Sequence, residues 1–272
     1  MRALFRIYQL FNILSLDIVA GAIACALFFA KIFHVEIKTI GLVALSLTVW
    51  VIYTIDHLRD ARLIMRPATT LRHRFHQENF RLMVIFLSLA MTGGAIAIFF
   101  IRRQVFEWGR ILTGVIILYL LLQRSLRLLK ELFVALLYTA GVLLLSITVT
   151  PIEIAMEHYF LIFQFAATAW ANLVLFSWFD HDFDQSNDQN SLVTILGKSS
   201  SQTVLLGLFG LNFLLTVIQL LAKMALIPVL ILFLMNVTLF LIYIFRNDLK
   251  NEDRYRLIGD AVFLFPAILL IL

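Results

Sequence analysis

The chain is a succession of apolar runs, each close to the ~20 residues that an α-helix needs to cross the hydrocarbon core of a bilayer. Nine are recognisable: Leu10–Ala30, Ile37–Ile55, Phe80–Ile101, Ile111–Leu122 (extending back to Val105), Leu132–Thr150, Tyr159–Phe179, Val204–Leu221, Leu226–Phe245 and Leu257–Leu272. Inside lipid, backbone N–H and C=O groups find no water, so each run must close its own hydrogen bonds as a helix. The predicted fold class is therefore all-α: a polytopic membrane protein of about nine transmembrane helices, packed up and down as one domain over residues 1–272. With 62% hydrophobic and only 14% charged residues, an ordinary soluble domain is excluded. The first run is too long for a signal peptide and reads as the first span.

Lysine and arginine set the expected orientation. With the N-terminus in the cytoplasm, sixteen of the 22 basic residues fall on the inner side, including Arg2, Arg6, Arg59, Arg62, Arg66, Arg72, Arg74 and Arg81. The positive-inside rule then places an integral protein in the cell (plasma or inner) membrane with the N-terminus and its acidic segments cytoplasmic. The net charge of +5 is explained by basic loops beside anionic lipid headgroups, so no nucleic-acid partner is expected. The single cysteine, Cys25, excludes an internal disulfide and a cysteine metal site.

Two acidic segments carry the chemistry. FDHDFDQSND follows the sixth span and places Asp180, Asp182, Asp184 and Asp188 within nine residues. If the helix continues, Asp180, Asp184 and Asp188 share one face. Such a run is tolerable when solvated, protonated or neutralised by a cation. YTIDHLRDAR ends the second span and repeats the spacing with Asp56 and Asp60. The polar stretch after it holds Arg66, Arg72 and Arg74, with Pro67 opening a loop. Arginine forks bind phosphate oxygens, and carboxylates hold magnesium that bridges phosphates. The pattern points to an anionic phosphate ligand with Mg2+; the bland alternatives are a topogenic basic loop and a solvated acidic loop. A histidine metal site is disfavoured: His73 and His76 are spaced i, i+3, but no Glu-x-x-His or His-Glu-x-x-His accompanies them. Asp17 and Asn12 in the first span, Asn172 in the sixth and Lys198 are further polar candidates. Asn172, Ser177 and Asp180 are expected near one polar seam, Gly197 ends a helix or loop, and the last three spans have few polar interruptions, chiefly Asn236.

These segments resemble those of the UbiA superfamily of intramembrane prenyltransferases, whose members have nine transmembrane helices and acidic motifs after helices two and six. The first motif, N-D-x-x-D-x-x-x-D, is matched by Asp56 and Asp60, while Ile52 and Tyr53 stand at its Asn and first Asp. The family's following Asn-Arg-Pro resembles Met65-Arg66-Pro67. In the second motif Asp180 and Asp184 match, Asp182 stands where Glu is usual, and Ser177 and Phe183 replace Asp and Gly. SLVTILG, ending at Gly197, resembles the family's Thr-Leu-x-x-x-Leu-Gly. The resemblance covers the whole chain in span count, spacing and side. It implies magnesium held by Asp56, Asp60, Asp180 and Asp184, with Asp188 as a further ligand. It also implies a prenyl diphosphate as donor and a hydrophobic acceptor: an aromatic ring, a quinone precursor or a lipid-like alcohol. Arg66, Arg72 and Arg74 would steady the leaving diphosphate, and Asp17, Asn12 and Asn172 would orient the acceptor. A CDP-alcohol phosphotransferase is rejected for want of the Gly and compact second pair of its signature, and an intramembrane aspartyl protease for want of Gly-x-Gly-Asp. A transporter should carry charge at mid-span, and the span interiors are nearly free of it. A degenerate binder of isoprenoid phosphates stays open because of Ile52 and Tyr53.

Overall fold

Segments that are apolar on all sides have no face to turn to water, and they close into helices that bury some faces on one another and leave others to lipid. The computed structural model describes residues 2–63, 68, 70–122, 126–186, 190–250 and 253–272. Its helices are α1 (Arg2–Ile13), α2 (Leu16–Ile32), α3 (Thr39–Leu63), α4 (Leu71–Glu78), α5 (Phe80–Ala97), α6 (Arg103–Leu122) and α7 (Lys130–Ile147). They continue as α8 (Met156–Ser186), α9 (Leu192–Leu221), α10 (Leu226–Ile244), α11 (Arg246–Leu249), α12 (Arg254–Ala261) and α13 (Ile268–Ile271). A 3-10 stretch, Val262–Ala267, joins the last two, and no strand occurs among the described residues.

Among the described residues, seven helical segments are long and apolar enough to cross a membrane: those of α3, α5, α6, α7, α8, α9 and α10. The first apolar run is bent instead. α1 and α2 meet at 77° about Ser15, whose backbone is left-handed, and count as an eighth span if taken together. The last run, expected as Leu257–Leu272, is split into α12, the 3-10 stretch with Pro266, and α13, and it packs against α2 and α10. Among the described residues the architecture is thus all-α with seven or eight helices able to span, consistent with an integral membrane protein.

α8 is the most deeply buried span, wrapped by α7, α9 and α10, whereas α5 and α6 lie at the periphery. Rings from three helices fill the centre. Phe165 of α8 meets Phe29 of α2 edge-on at 5.2 Å and Phe263 of the C-terminal segment at 6.1 Å, and Tyr138 of α7 stacks on it at 6.1 Å. Edge-to-face pairs add to the burial of the rings themselves. Gly21 permits this approach, since a Cβ there would lie 2.9 Å from Phe263 Cβ.

Neutral polar side chains fasten α8 to α9. Gln164 Nε2 donates to Thr216 Oγ1 (2.8 Å), Thr168 Oγ1 to Asn212 Oδ1 (2.9 Å) and Gln219 Nε2 to Gln164 Oε1 (2.6 Å). The last spans are therefore more polar inside than Asn236 alone suggests. Such bonds hold membrane helices together where hydrophobicity cannot, because lipid tails are as apolar as leucine.

Two features position the candidate site. α8 runs on past Phe179, so the acidic segment is helical as far as Ser186 and Asp180 and Asp184 share a face. α3 and α7 touch at Gly41 and Leu145, and toward its other end α3 exposes Ile52, Ile55 and Asp56. α5 packs on α3 and α6 on α7. Ser191 then caps α9 in a reciprocal capping box with Thr194. Gly197, expected from the sequence to end a helix or loop, instead kinks α9 at φ 78°, and the helix resumes after it.

Candidate functional site

Charges cannot be left unpaired inside an apolar bundle, and here they gather at one end and pair. The short helix α4 stitches the two acidic segments together. His73 stacks on Phe183 of α8 (5.5 Å, 6° between planes), while its Nε2 lies 3.8 Å from Asp60 Oδ2 of α3. Thr70 Oγ1, 2.6 Å from His73 Nδ1, fixes the ring from the other side. Lys130, at the start of α7, lies within electrostatic reach of both Asp56 and Asp184. Asp56, Asp60, Asp180 and Asp184 thus border one region, although Asp60 and Asp180 are 120 positions apart in the chain.

Behind this rim is a buried network. Asp180 accepts from Tyr255 Oη and from Arg256, both on α12. Burial works against the Arg256 cation, yet Asp180 and Tyr255 hold it well above its ordinary value. Burial, with Asp180 adding to it, raises the Tyr255 phenol, which therefore stays a donor. Deeper still, Asn12 Nδ2 donates to Asp17 Oδ2 (2.5 Å) and to Asp260 Oδ2 (2.8 Å). Asn12 Oδ1 accepts from Arg72 (2.7 Å), which lies 3.8 Å from Asp260. Burial and the charge of Arg256 lower Arg72 from its ordinary value, and Asp260, Asp17 and Asp180 oppose that fall. His76, bonded through Nδ1 to the Arg72 carbonyl (2.9 Å), is pushed below the ordinary histidine range by burial and by the charges of Arg72 and His73. Next to it His57 bonds Ser15 (3.0 Å).

Other expected residues are placed elsewhere. Lys198 is bonded to Asp182 (2.8 Å), which also pairs with His181 and Lys250, a salt-bridged group on the outer rim. Arg74 is exposed and donates to the Ala68 carbonyl. Asn172 is buried against Gly259 of α12, and its Oδ1 has no partner among the described residues. Ser177, Asn172 and Asp180 do not form one seam: Ser177 turns to Glu131 of α7, the other two toward α12. Arg66 and Asp188 lie outside the described residues.

Arg256, Tyr255, Asp260 and Glu131 are the residues that the sequence pattern does not single out. Asp260 had the same signal as Asp17, an ionisable group inside an apolar run. Glu131, 5% exposed, accepts from Ser177 Oγ and from the Leu192 N–H at the start of α9, both at 2.9 Å, and its Oε2 has no partner among the described residues.

The donors do not fit a preformed magnesium site. Among the described residues no three His, Cys, Asp or Glu side chains converge closely enough to hold a metal ion. Asp180 is already neutralised by Arg256, Asp60 faces His73, and Asp182 is taken by Lys198. Chemically, the arrangement offers cations and hydrogen-bond donors at one end of an apolar helical bundle, beside the exposed Ile52 and Ile55 of α3. No family model, no curated protein and no solved structure matches the chain.

Proposed function

We propose that the chain is an intramembrane prenyltransferase, moving an isoprenoid chain from a prenyl diphosphate to an aromatic, quinone-precursor or lipid-like acceptor. One observation carries the reading: the two acidic segments meet around α4 and near Lys130, with Arg72 and Arg256 in the buried network behind them, where α3 exposes Ile52, Ile55 and Asp56; on this reading the isoprenoid tail lies in a cleft between α3 and α7. An amphiphile with a charged head and an apolar tail matches such a site. The resemblance of the motifs supports the same class. On this reading α2 and the C-terminal helical segment are the first and ninth spans, and the acidic end faces the cytoplasm from the cell membrane.

The steps follow from the residues. The diphosphate binds beside Arg72 and Lys130, whose charges stabilise it as the allylic C–O bond breaks. Tyr53 and Tyr138, neighbours beside the cleft, offer ring faces to the allylic cation. The apolar walls exclude water, so the cation is captured by the acceptor, which loses a proton as the new bond forms. Magnesium, implied by the resemblance, has no assigned step because the donors do not converge.

A second reading, a binder of isoprenoid phosphates without turnover, is favoured by the commitment of Asp180 to Arg256 and Tyr255. Purified protein in detergent, incubated with geranylgeranyl diphosphate with and without magnesium, separates the two. Diphosphate release that is lost in Asp180→Ala and Asp184→Ala supports the transferase. Binding without release, in the presence of an acceptor mixture, supports the binder, and absence of binding refutes both.

A further inference from the structure

We propose that Asp17 and Asp260 form a proton-binding site, sharing one proton at neutral pH, whose occupancy sets the net charge behind Arg72. The two carboxylates are 1% and 7% exposed. Their Oδ2 atoms accept from the same Asn12 Nδ2, at 2.5 and 2.8 Å, so they stand no more than about 5 Å apart. Asp17 Oδ1 is bound by the Ile18 N–H at 2.9 Å.

Two buried like charges at that distance do not both ionise without compensation. Arg72 is the cation in contact with the pair, and Arg256 is engaged by Asp180. Asp17, Asp260 and Asp180 thus face two guanidiniums, and one negative charge is left over. A proton on the pair removes that excess. The other groups facing it bring no positive charge: Tyr8 of α1, bonded to the Leu257 carbonyl, Tyr53 of α3 and Tyr138 of α7. His57 of α3 faces Arg72 and is bonded to Ser15.

When the proton is present, the single charge left on the pair is balanced by Arg72. When it leaves, Asp17 and Asp260 together outweigh Arg72. Anion binding at the cleft then weakens as pH rises through the transition. That consequence rests on the diphosphate reading above; the proton site itself does not.

Infrared spectroscopy of the full chain in detergent tests the site directly. The native protein should show, at neutral pH, the C=O stretch of an un-ionised carboxylic acid that shifts on deuteration and disappears at high pH. Asp260→Asn and Asp17→Asn should each abolish it, and either one suffices if the other fails to fold. No such band in the native protein overturns the proposal. So does a band that survives in both variants, since it then belongs to another acid such as Glu131. In parallel, farnesyl diphosphate affinity should fall by no more than about tenfold per pH unit across the same transition, and be flat there in Asp260→Asn. The band with this behaviour but no diphosphate binding at any pH upholds the proton site and refutes the anion-binding reading instead.

Discussion

Gly259 lies one turn from Arg256 on α12, and replacing it with alanine tests how tightly α12 is seated on α8. A Cβ at this position would lie 2.5 Å from Phe176 Cε1, 2.7 Å from Cζ and 3.0 Å from Asn172 Oδ1. Ordinary carbon contacts are about 3.5–4.0 Å, so the ring must retreat by roughly 1 Å. It has little room: Phe176 is 9% exposed, meets Tyr255 edge-on at 5.9 Å and lies under the Arg256 guanidinium at 5.4 Å. Alanine gains about 1 kcal/mol of helix propensity. Overpacking of this kind costs about 1–3 kcal/mol, and two contacts under 3 Å put it at the upper end. The net expectation is a loss of about 1–2 kcal/mol. The thermal midpoint in detergent should fall by several degrees, and diphosphate affinity should fall with it, because Arg256 and Asp260 ride on the same helix. Gly210→Ala, where nothing lies within 4 Å of the added carbon, is the matched control and should be neutral or stabilising. If Gly259→Ala melts no lower than Gly210→Ala, the packing of α12 against α8 described here is wrong.

Arg256→Gln should destabilise by about 3 kcal/mol, because it leaves Asp180 partly buried without its cation. Asp180→Asn in the same chain should restore much of that loss, read as a double-mutant cycle. His76 is neutral in the fold, with its pKa below the unfolded value of about 6.5, so its contribution is complete above that pH and is lost as pH falls below it. Melting curves of the native protein should therefore decline below about pH 6.5 more steeply than those of His76→Gln. Gln164→Leu breaks bonds to Asn212 and Thr216 and should cost about 1 kcal/mol; a stabilised variant would show that the α8–α9 polar contacts are not made. Gly197→Ala forces a side chain into φ 78°, ψ 161°, a region that is essentially glycine's, and should cost about 1–3 kcal/mol without touching the acidic segments.

The sequence by itself determined the class of structure and the chemistry available to it. Runs near 20 apolar residues admit only helices in lipid, and the helices are found where the runs are, with α6 beginning near Val105 as the extended fourth run requires. The spacing of Asp180 and Asp184 made them neighbours once α8 continued. Asp17 was legible as an ionisable group inside an apolar run. Asp260 carries the same mark, but four residues into the last run it reads as a boundary. Gln164, Thr168, Asn212 and Gln219 were not legible, because an isolated neutral side chain barely lowers the hydropathy of its run. What only the tertiary structure decided is which charges meet. No local pattern says that α12 brings Arg256 to Asp180, that a bend at Ser15 turns Asn12 back onto Asp17, or that His73 joins Asp60 to Phe183. Helix formation depends on contacts three and four residues apart, which a sequence displays. The partners of the buried carboxylates lie up to 248 residues away, because a buried carboxylate must take whatever partner the packed helices bring within a few ångströms.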